Sequence, residues 1–286
     1  MVDAGAAHPV VAAVESSGEP VDRSLRITVH FHPDRVAAGR TVIEHLAQDG
    51  IYRTQFETGT SNGGLTAYPG GDRQRWEQAM FGGFYDRAGA HHRPRYGALN
   101  HRRRSVGAAP RFGSAHLRLA EHVLDRATFC FPDSVFEPTR LATAARFDLW
   151  ADVAAFDATP LDDEREATTG GLLDDYVEAH VHGGLELGSD IEALVLDPSH
   201  RDSAVEEHAL RVGVPVEWHE GFRVHLDTLA AHQHFRGEQP LALAGRVADE
   251  GWLDPAVLGG ARAGGEHDPE VLKRVWHLLA RFGREW

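Results

Sequence analysis

Polar and apolar residues alternate through residues 176–183, placing Val177, Ala179 and Val181 on one side of a strand and Tyr176, Glu178, His180 and His182 on the other. A strand face that only meets water has no need of two imidazoles beside a carboxylate, so this face reads as a working surface. A second strand, residues 25–31, repeats the idea and carries Thr28 and His30 with His32 just beyond on one face. The two strands are expected to lie close together and share one site. Between them the pattern predicts a helix from Pro33 and Asp34 through Gln48, ended by Gly50 in the left-handed conformation. Residues 51–65 then read as an extended piece entering a glycine-rich loop, and residues 72–81 as a helix with Trp76 and Met80 turned inward. Strands follow at 114–119 and 127–131, and a helix at 138–155 uses Leu141, Ala145, Leu149 and Val153. Strands at 191–198 and 214–218 flank a helix at 202–211, and a clear amphipathic helix, 269–282, is capped by Asp268 and Gly283.

Composition bounds the reading. The chain has 286 residues, 42% hydrophobic and 25% charged, as an ordinary globular protein does. No run approaches the ~20 apolar residues that cross a bilayer, which makes a cytoplasmic protein without a membrane partner the expectation. Residues 1–24 read as a flexible leader, 25–222 as one catalytic domain, and 223–286 as a helical appendage. A single cysteine, Cys130, excludes an internal disulfide and a cysteine-built zinc site, and its apolar neighbours suggest a buried strand. The net charge of −14 argues against non-specific affinity for nucleic acid or anionic lipid. Any anion must therefore be met locally, and arginines do crowd residues 87–111.

No G-x-S-x-G elbow, P-loop or G-x-G-x-x-G fingerprint stands in a strand-turn-helix context. Two local stretches carry chemistry instead. The loop holding Thr58, Ser61, Asn62 and Gly63 can let its backbone approach a ligand closely, or it can be simply solvated. The run from Arg93 to Asn100, with Arg95, Tyr96 and Gly97 inside it, can stack a ring and hold phosphate, or can be a turn feeding a strand. The two His-x-His pairs, His30 with His32 and His180 with His182, allow a metal reading. Four imidazoles could surround Zn, Fe or Mn with Glu178 as fifth ligand or as base for a bound water, giving a hydrolase or oxygenase.

The motifs Val29-His30-Phe31-His32-Pro33-Asp34-Arg35, Gln55-Phe56-Glu57-Thr58-Gly59-Thr60-Ser61-Asn62-Gly63, Pro94-Arg95-Tyr96-Gly97-Ala98-Leu99-Asn100 and Arg111-Phe112-Gly113-Ser114 resemble a bacterial family catalogued only as a domain of unknown function. The resemblance covers most of the chain and supplies no activity. The succession of a Phe-His strand, a helix ending in glycine, a central tyrosine and a late glutamate strand is also similar to the ADP-ribosyltransferase fold. That resemblance implies an α+β architecture with a mixed, mostly antiparallel split sheet flanked by helices. Val177-Glu178-Ala179-His180-Val181-His182 looks like the glutamate strand of DNA-modifying ADP-ribosyltransferase toxins, where a histidine follows four residues after the glutamate.

Carried over, the resemblance implies Glu178, Tyr96 and His182 as catalytic residues, with His30 or His32 as the histidine of the first motif. NAD would be the co-substrate, contacted by His30, His32, Arg53, Gln55, Thr58, Ser61, Asn62, Gly63, Arg95, Gly97 and Asn100. The acceptor, whether protein, small molecule, nucleic acid or water, stays open. The residue types suit the chemistry, because loss of nicotinamide builds positive charge on the ribose that a fixed carboxylate stabilises. A nucleotide-binding protein without turnover is the remaining reading.

Overall fold

The computed structural model describes residues 7–60, 66–167 and 171–284, and within them the chain begins with a short helix, α1 (Pro9–Ala13). Val10 is buried beside Phe81 and Tyr85, and Val21 and Glu19 form backbone hydrogen bonds with Ala144 and Phe147. Within the segment expected as a flexible leader, Val10 and Val21 are buried, while most of the other residues from 7 to 24 are exposed.

Strand β1 (Ile27–Phe31) leads into a small hairpin, β2 (Val36–Ala37) and β3 (Arg40–Thr41), before helix α2 (Val42–Asp49). The helix expected from Pro33 therefore starts eight or more residues late in the chain's course, at Val42. Ala38 and Gly39 take positive φ, of 49° and 82°, and turn the hairpin, after which the Thr41/Glu44 capping box nucleates the helix. Gly50 ends it left-handed at φ 65°, as expected. A second capping box, Thr54 with Glu57, converts the expected extended piece into the single turn α3 (Gln55–Thr58). In α4 (Asp72–Met80) the buried residue is Glu77, while Trp76 and Met80 are only half-buried.

Strands β4 (Arg95–Leu99), β5 (Ala115–Leu119), β6 (Ala127–Cys130) and β7 (Ala142–Thr143) follow. The helix expected over 138–155 is corrected here. Ala142 and Thr143 pair with Phe129 and Thr128 as an edge strand, so the helix, α5 (Trp150–Ala158), begins later while still burying Leu149 and Val153. Helix α6 (Asp163–Ala167), strand β8 (Val177–Val181), the turn α7 (Leu187–Asp190), strand β9 (Ile191–Leu196), helix α8 (Ala204–Ala209) and strand β10 (Val216–Trp218) complete this part.

The main sheet has eight strands in the order β10-β9-β5-β1-β4-β8-β6-β7, antiparallel throughout except between β9 and β10. This is a mixed α+β fold with a large, mostly antiparallel sheet flanked by helices. The cross-strand register assigns the two faces, since residues directly opposite each other project to the same side. One face carries Val29, Leu117, Leu194, Ala179, Phe129 and Ala142, all fully buried in the principal core. Each such aliphatic or aromatic side chain contributes about 1.5–3 kcal/mol by leaving water. The other face carries Thr28, His30, His116, Tyr96, Glu178, His180, Thr128 and Cys130.

The remainder consists of β11 (Val224–His225), α9 (Leu226–Ala230), α10 (Glu238–Val247), β12 (Trp252–Leu253), α11 (Pro255–Ala263) and α12 (Pro269–Phe282). Leu229, Leu243, Leu258, Leu272, Val275 and Leu279 form a second core that also takes in Val106 and Phe222. Trp276 of α12 donates its indole N–H to the carbonyls of Pro110 and Arg111, both at 3.0 Å, and so holds the loop that walls one side of the polar face.

Candidate active site

Strands β1 and β4 pair only at Ile27 with Leu99 and Thr28 with Ala98, whereas β4 and β8 pair along five positions. Beyond Thr28 and Ala98 the two central strands part, and a cavity of about 130 Å³ opens there. A dry cavity of ~150 Å³ houses one benzene ring, so this one is sized for a single six-membered ring. Gly97 stands at the fork, where a Cβ would meet the Thr28 carbonyl oxygen at 2.8 Å. Glycine permits the close approach and offers its backbone to the cavity.

Glu178 lines the cavity and is 5% exposed. Its Oε1 is 2.9 Å from His180 Nε2 and accepts the Ser134 backbone N–H at 3.2 Å. Burial pushes the carboxyl upward, but the hydrogen bonds from His180 and Ser134 and the nearby Arg73 charge together hold it below the ordinary range, so it is a carboxylate. Behind it Tyr176 donates its hydroxyl to Asp133, whose carboxyl burial and the Glu178 charge push up.

Tyr96 lines the same cavity with its ring beneath the Arg73 guanidinium, 4.1 Å from the centroid, and edge-on to His180 at 5.5 Å. The Tyr96 hydroxyl donates to Glu77 Oε1 at 3.0 Å, and Glu77 also pairs with Arg93. Burial, then the Glu77 charge, pushes the Tyr96 phenol well up, so it stays protonated. Arg73 donates to Ser134 Oγ at 2.8 Å, which ties α4 to the loop beside Glu178. Burial opposes its charge, yet Tyr96, Glu178 and Glu77 raise the guanidinium above its usual value.

His30 faces the cavity, with Nδ1 donating to the Gly113 carbonyl at 3.2 Å and Nε2 accepting the Ala109 N–H at 3.2 Å. Burial lowers it to about 3, so the ring is neutral. Both nitrogens are committed to the 107–113 loop, and His30 serves as a wall and a loop anchor. Arg53, Gln55 and Thr58 line the cavity as the sequence indicated, joined by Arg35, Tyr52, Thr60 and Phe112. Ser61, Asn62 and Gly63 lie outside the described residues.

Four expected contacts are corrected. His32 lies past the end of β1, where Pro33 turns the chain, and packs edge-on against Trp276 at 4.9 Å. Arg95 alternates with Tyr96 and so points away; it donates to the carbonyls of Tyr52, His91, Arg93 and Gly183 and braces the wall from behind. Asn100 closes a turn with both its amide groups bonded to Arg104. His182 is one step removed from the cavity, bonded to Tyr85 and Thr128.

The four imidazoles do not form a cage. Strand β4 lies between β1 and β8, which separates His30 from His180 and His182, and His32 is under α12. Among the described residues one group of three donors does converge, Cys130, Glu178 and His180. Cys130 Sγ is 4.0 Å from Glu178 Oε1 and 3.8 Å from His180 Nε2. The 2.9 Å His180–Glu178 contact is a hydrogen bond that fills the space between them with a proton, and burial and the Glu178 charge push the thiol up. The donor chemistry is that of a hydrogen-bonded cluster.

Arg73 and Glu77 were missed by sequence reading. They sit four residues apart on one face of α4, a spacing that also describes an ordinary solvent-facing ion pair.

A family model described as "Protein of unknown function (DUF3626)" matches residues 26–156 and 149–282, and the chain belongs to that family. No curated protein matches the sequence.

Proposed function

We propose that the protein cleaves the bond between nicotinamide and ribose in NAD, as an ADP-ribosyltransferase or an NAD glycohydrolase. The observation that carries this reading is that the Glu178 carboxylate lines a ring-sized cavity where β1 and β4 part, together with His30 and Tyr96. Departure of nicotinamide takes the bonding electron pair and leaves an oxocarbenium-like ribose. A carboxylate fixed in a partly dry site stabilises that charge far better than water does. Cys130 lies beside Glu178 and Phe81 covers its partner His180, which limits water around the carboxylate and strengthens the interaction.

The pyridine ring would occupy the cavity, against Tyr96 and between Tyr52 and Phe112. Arg35, Arg53 and Arg73 supply cationic groups along the same opening and suit the pyrophosphate, in a chain whose net charge is otherwise −14. Water or an acceptor then adds to the ribose carbon and gives up its proton to solvent.

Incubation of the protein with NAD, followed by separation of nicotinamide and ADP-ribose, tests the proposal. Slow release of nicotinamide is expected. Binding of NAD, seen as a rise in thermal stability, without any release would instead mark a nucleotide-binding protein without turnover.

A further inference from the structure

Behind the cavity, four hydrogen bonds run in line from Tyr85 to Glu178. Tyr85 Oη is 2.7 Å from His182 Nδ1, and Thr128 Oγ1 is 3.0 Å from His182 Nε2 and 3.1 Å from His180 Nδ1. His180 Nε2 is in turn 2.9 Å from Glu178 Oε1. Thr128, His180 and His182 are fully enclosed and Tyr85 nearly so. Phe81 stands edge-on to both imidazoles, at 5.3 and 5.2 Å, and seals them from water. The backbone makes the series possible. Thr128 lies directly opposite His180 in the β6–β8 register, and His182 follows two residues later on the same face.

We infer that Tyr85, His182, Thr128 and His180 form a one-directional positioning chain that fixes the orientation of the Glu178 carboxylate. A carboxylate only accepts, so His180 presents Nε2–H to it and leaves Nδ1 as an acceptor. Thr128 gives its one proton to that nitrogen and must accept from His182 Nε2–H. His182 Nδ1 then accepts the Tyr85 hydroxyl. Every donor points toward Glu178, and both rings are held in the Nε2–H tautomer. Each bond polarises the next, so the grip on Glu178 depends on the Tyr85 hydroxyl in the turn after α4. His182, which touches nothing in the cavity, acquires a role through this chain. Its catalytic consequence rests on the proposed role of Glu178, but the chain itself does not.

The test is nitrogen-15 NMR of the imidazoles in the full-length protein without NAD, in wild type, Tyr85→Phe, Thr128→Val and Thr128→Ser. Both His180 and His182 are expected as Nε2–H tautomers. Tyr85→Phe should shift the signals of His182 and also of His180, and Thr128→Val should leave His180 as a tautomer mixture that Thr128→Ser does not show. In nicotinamide release, Thr128→Val should lower kcat about tenfold with KM unchanged, and Thr128→Ser should restore it. An Nδ1–H tautomer on either ring, or a Tyr85→Phe response confined to His182, overturns the chain. If Thr128→Val does not fold, Tyr85→Phe and Thr128→Ser still decide. Expected tautomers in a protein that releases no nicotinamide would uphold the chain and remove the transferase reading instead.

Discussion

The Arg73 guanidinium covers one face of the Tyr96 ring at 4.1 Å and contributes to holding Glu178 in its charged form. A helix residue thereby couples the aromatic wall of the cavity to the carboxylate that lines it.

Removing that charge should be visible in pH dependence. Arg73 lowers the Glu178 carboxyl, so Arg73→Met lets it rise toward its ordinary range. The acid limb of the kcat profile for nicotinamide release is expected to move to higher pH, because protonation of Glu178 now begins at a higher pH. KM for NAD should also rise, by about tenfold, from loss of a charge-assisted contact. An unchanged acid limb would separate Arg73 from Glu178.

Glu77 is 1% exposed and joins Arg93 to the Tyr96 hydroxyl. Truncation leaves a buried guanidinium without its partner, which typically costs about 3–5 kcal/mol. Urea unfolding of Glu77→Ala should show a loss of that order, with Glu77→Gln losing less because the amide keeps the Tyr96 hydrogen bond.

Acid should weaken the fold well above the carboxylate range. His30 is lowered by burial from 6.5 to about 3, and His32, His116, His182 and His277 are lowered by burial as well. Below pH 6.5 the unfolded chain binds protons that the native state does not. Stability is therefore full above that pH and falls as pH drops toward 3, by up to about 1.4 kcal/mol per pH unit for each such histidine. Glu77 and Asp133, whose carboxyls burial raises, oppose the trend. Urea midpoints measured from pH 7.5 to 5 should decline. His277, with neither ring nitrogen bonded among the described residues, gives the control: His277→Leu should make the decline shallower.

The loop over His30 has no room for a side chain at Gly107, where φ is +83° and a Cβ would meet His30 Nε2 at 2.5 Å. Gly107→Ala should lose more than about 1 kcal/mol and displace His30. A thermal melt equal to wild type would show that the loop yields freely.

The alternation of Tyr176, Glu178, His180 and His182 was enough to find the polar face, because period-two spacing maps directly onto one side of a strand. Thr28 and His30 were placed on the same face for the same reason, and Arg53, Gln55 and Thr58, singled out as candidate ligand contacts, line the cavity. What alternation could not supply was order across the sheet. Nothing local to β1 or β8 says that β4 runs between them, and that single fact separates the two histidine pairs. Nor could it say where β1 ends, which removes His32. Helix α2 was misplaced because apolar Val36 and Val42 fit a helical stripe, although Thr41 and Glu44 already spelled a capping box. Arg73 and Glu77 were overlooked because charged residues on a helix usually face water, and only tertiary packing turns them inward.

The most direct test of the account compares nicotinamide release from NAD by wild type and by Glu178→Gln, with circular dichroism confirming that both are folded. Glu178→Gln keeps the shape of the side chain and removes its charge, and the expected result is measurable release by wild type with a loss of at least about 100-fold in the variant. Equal release by the two proteins would contradict the central role given to this carboxylate.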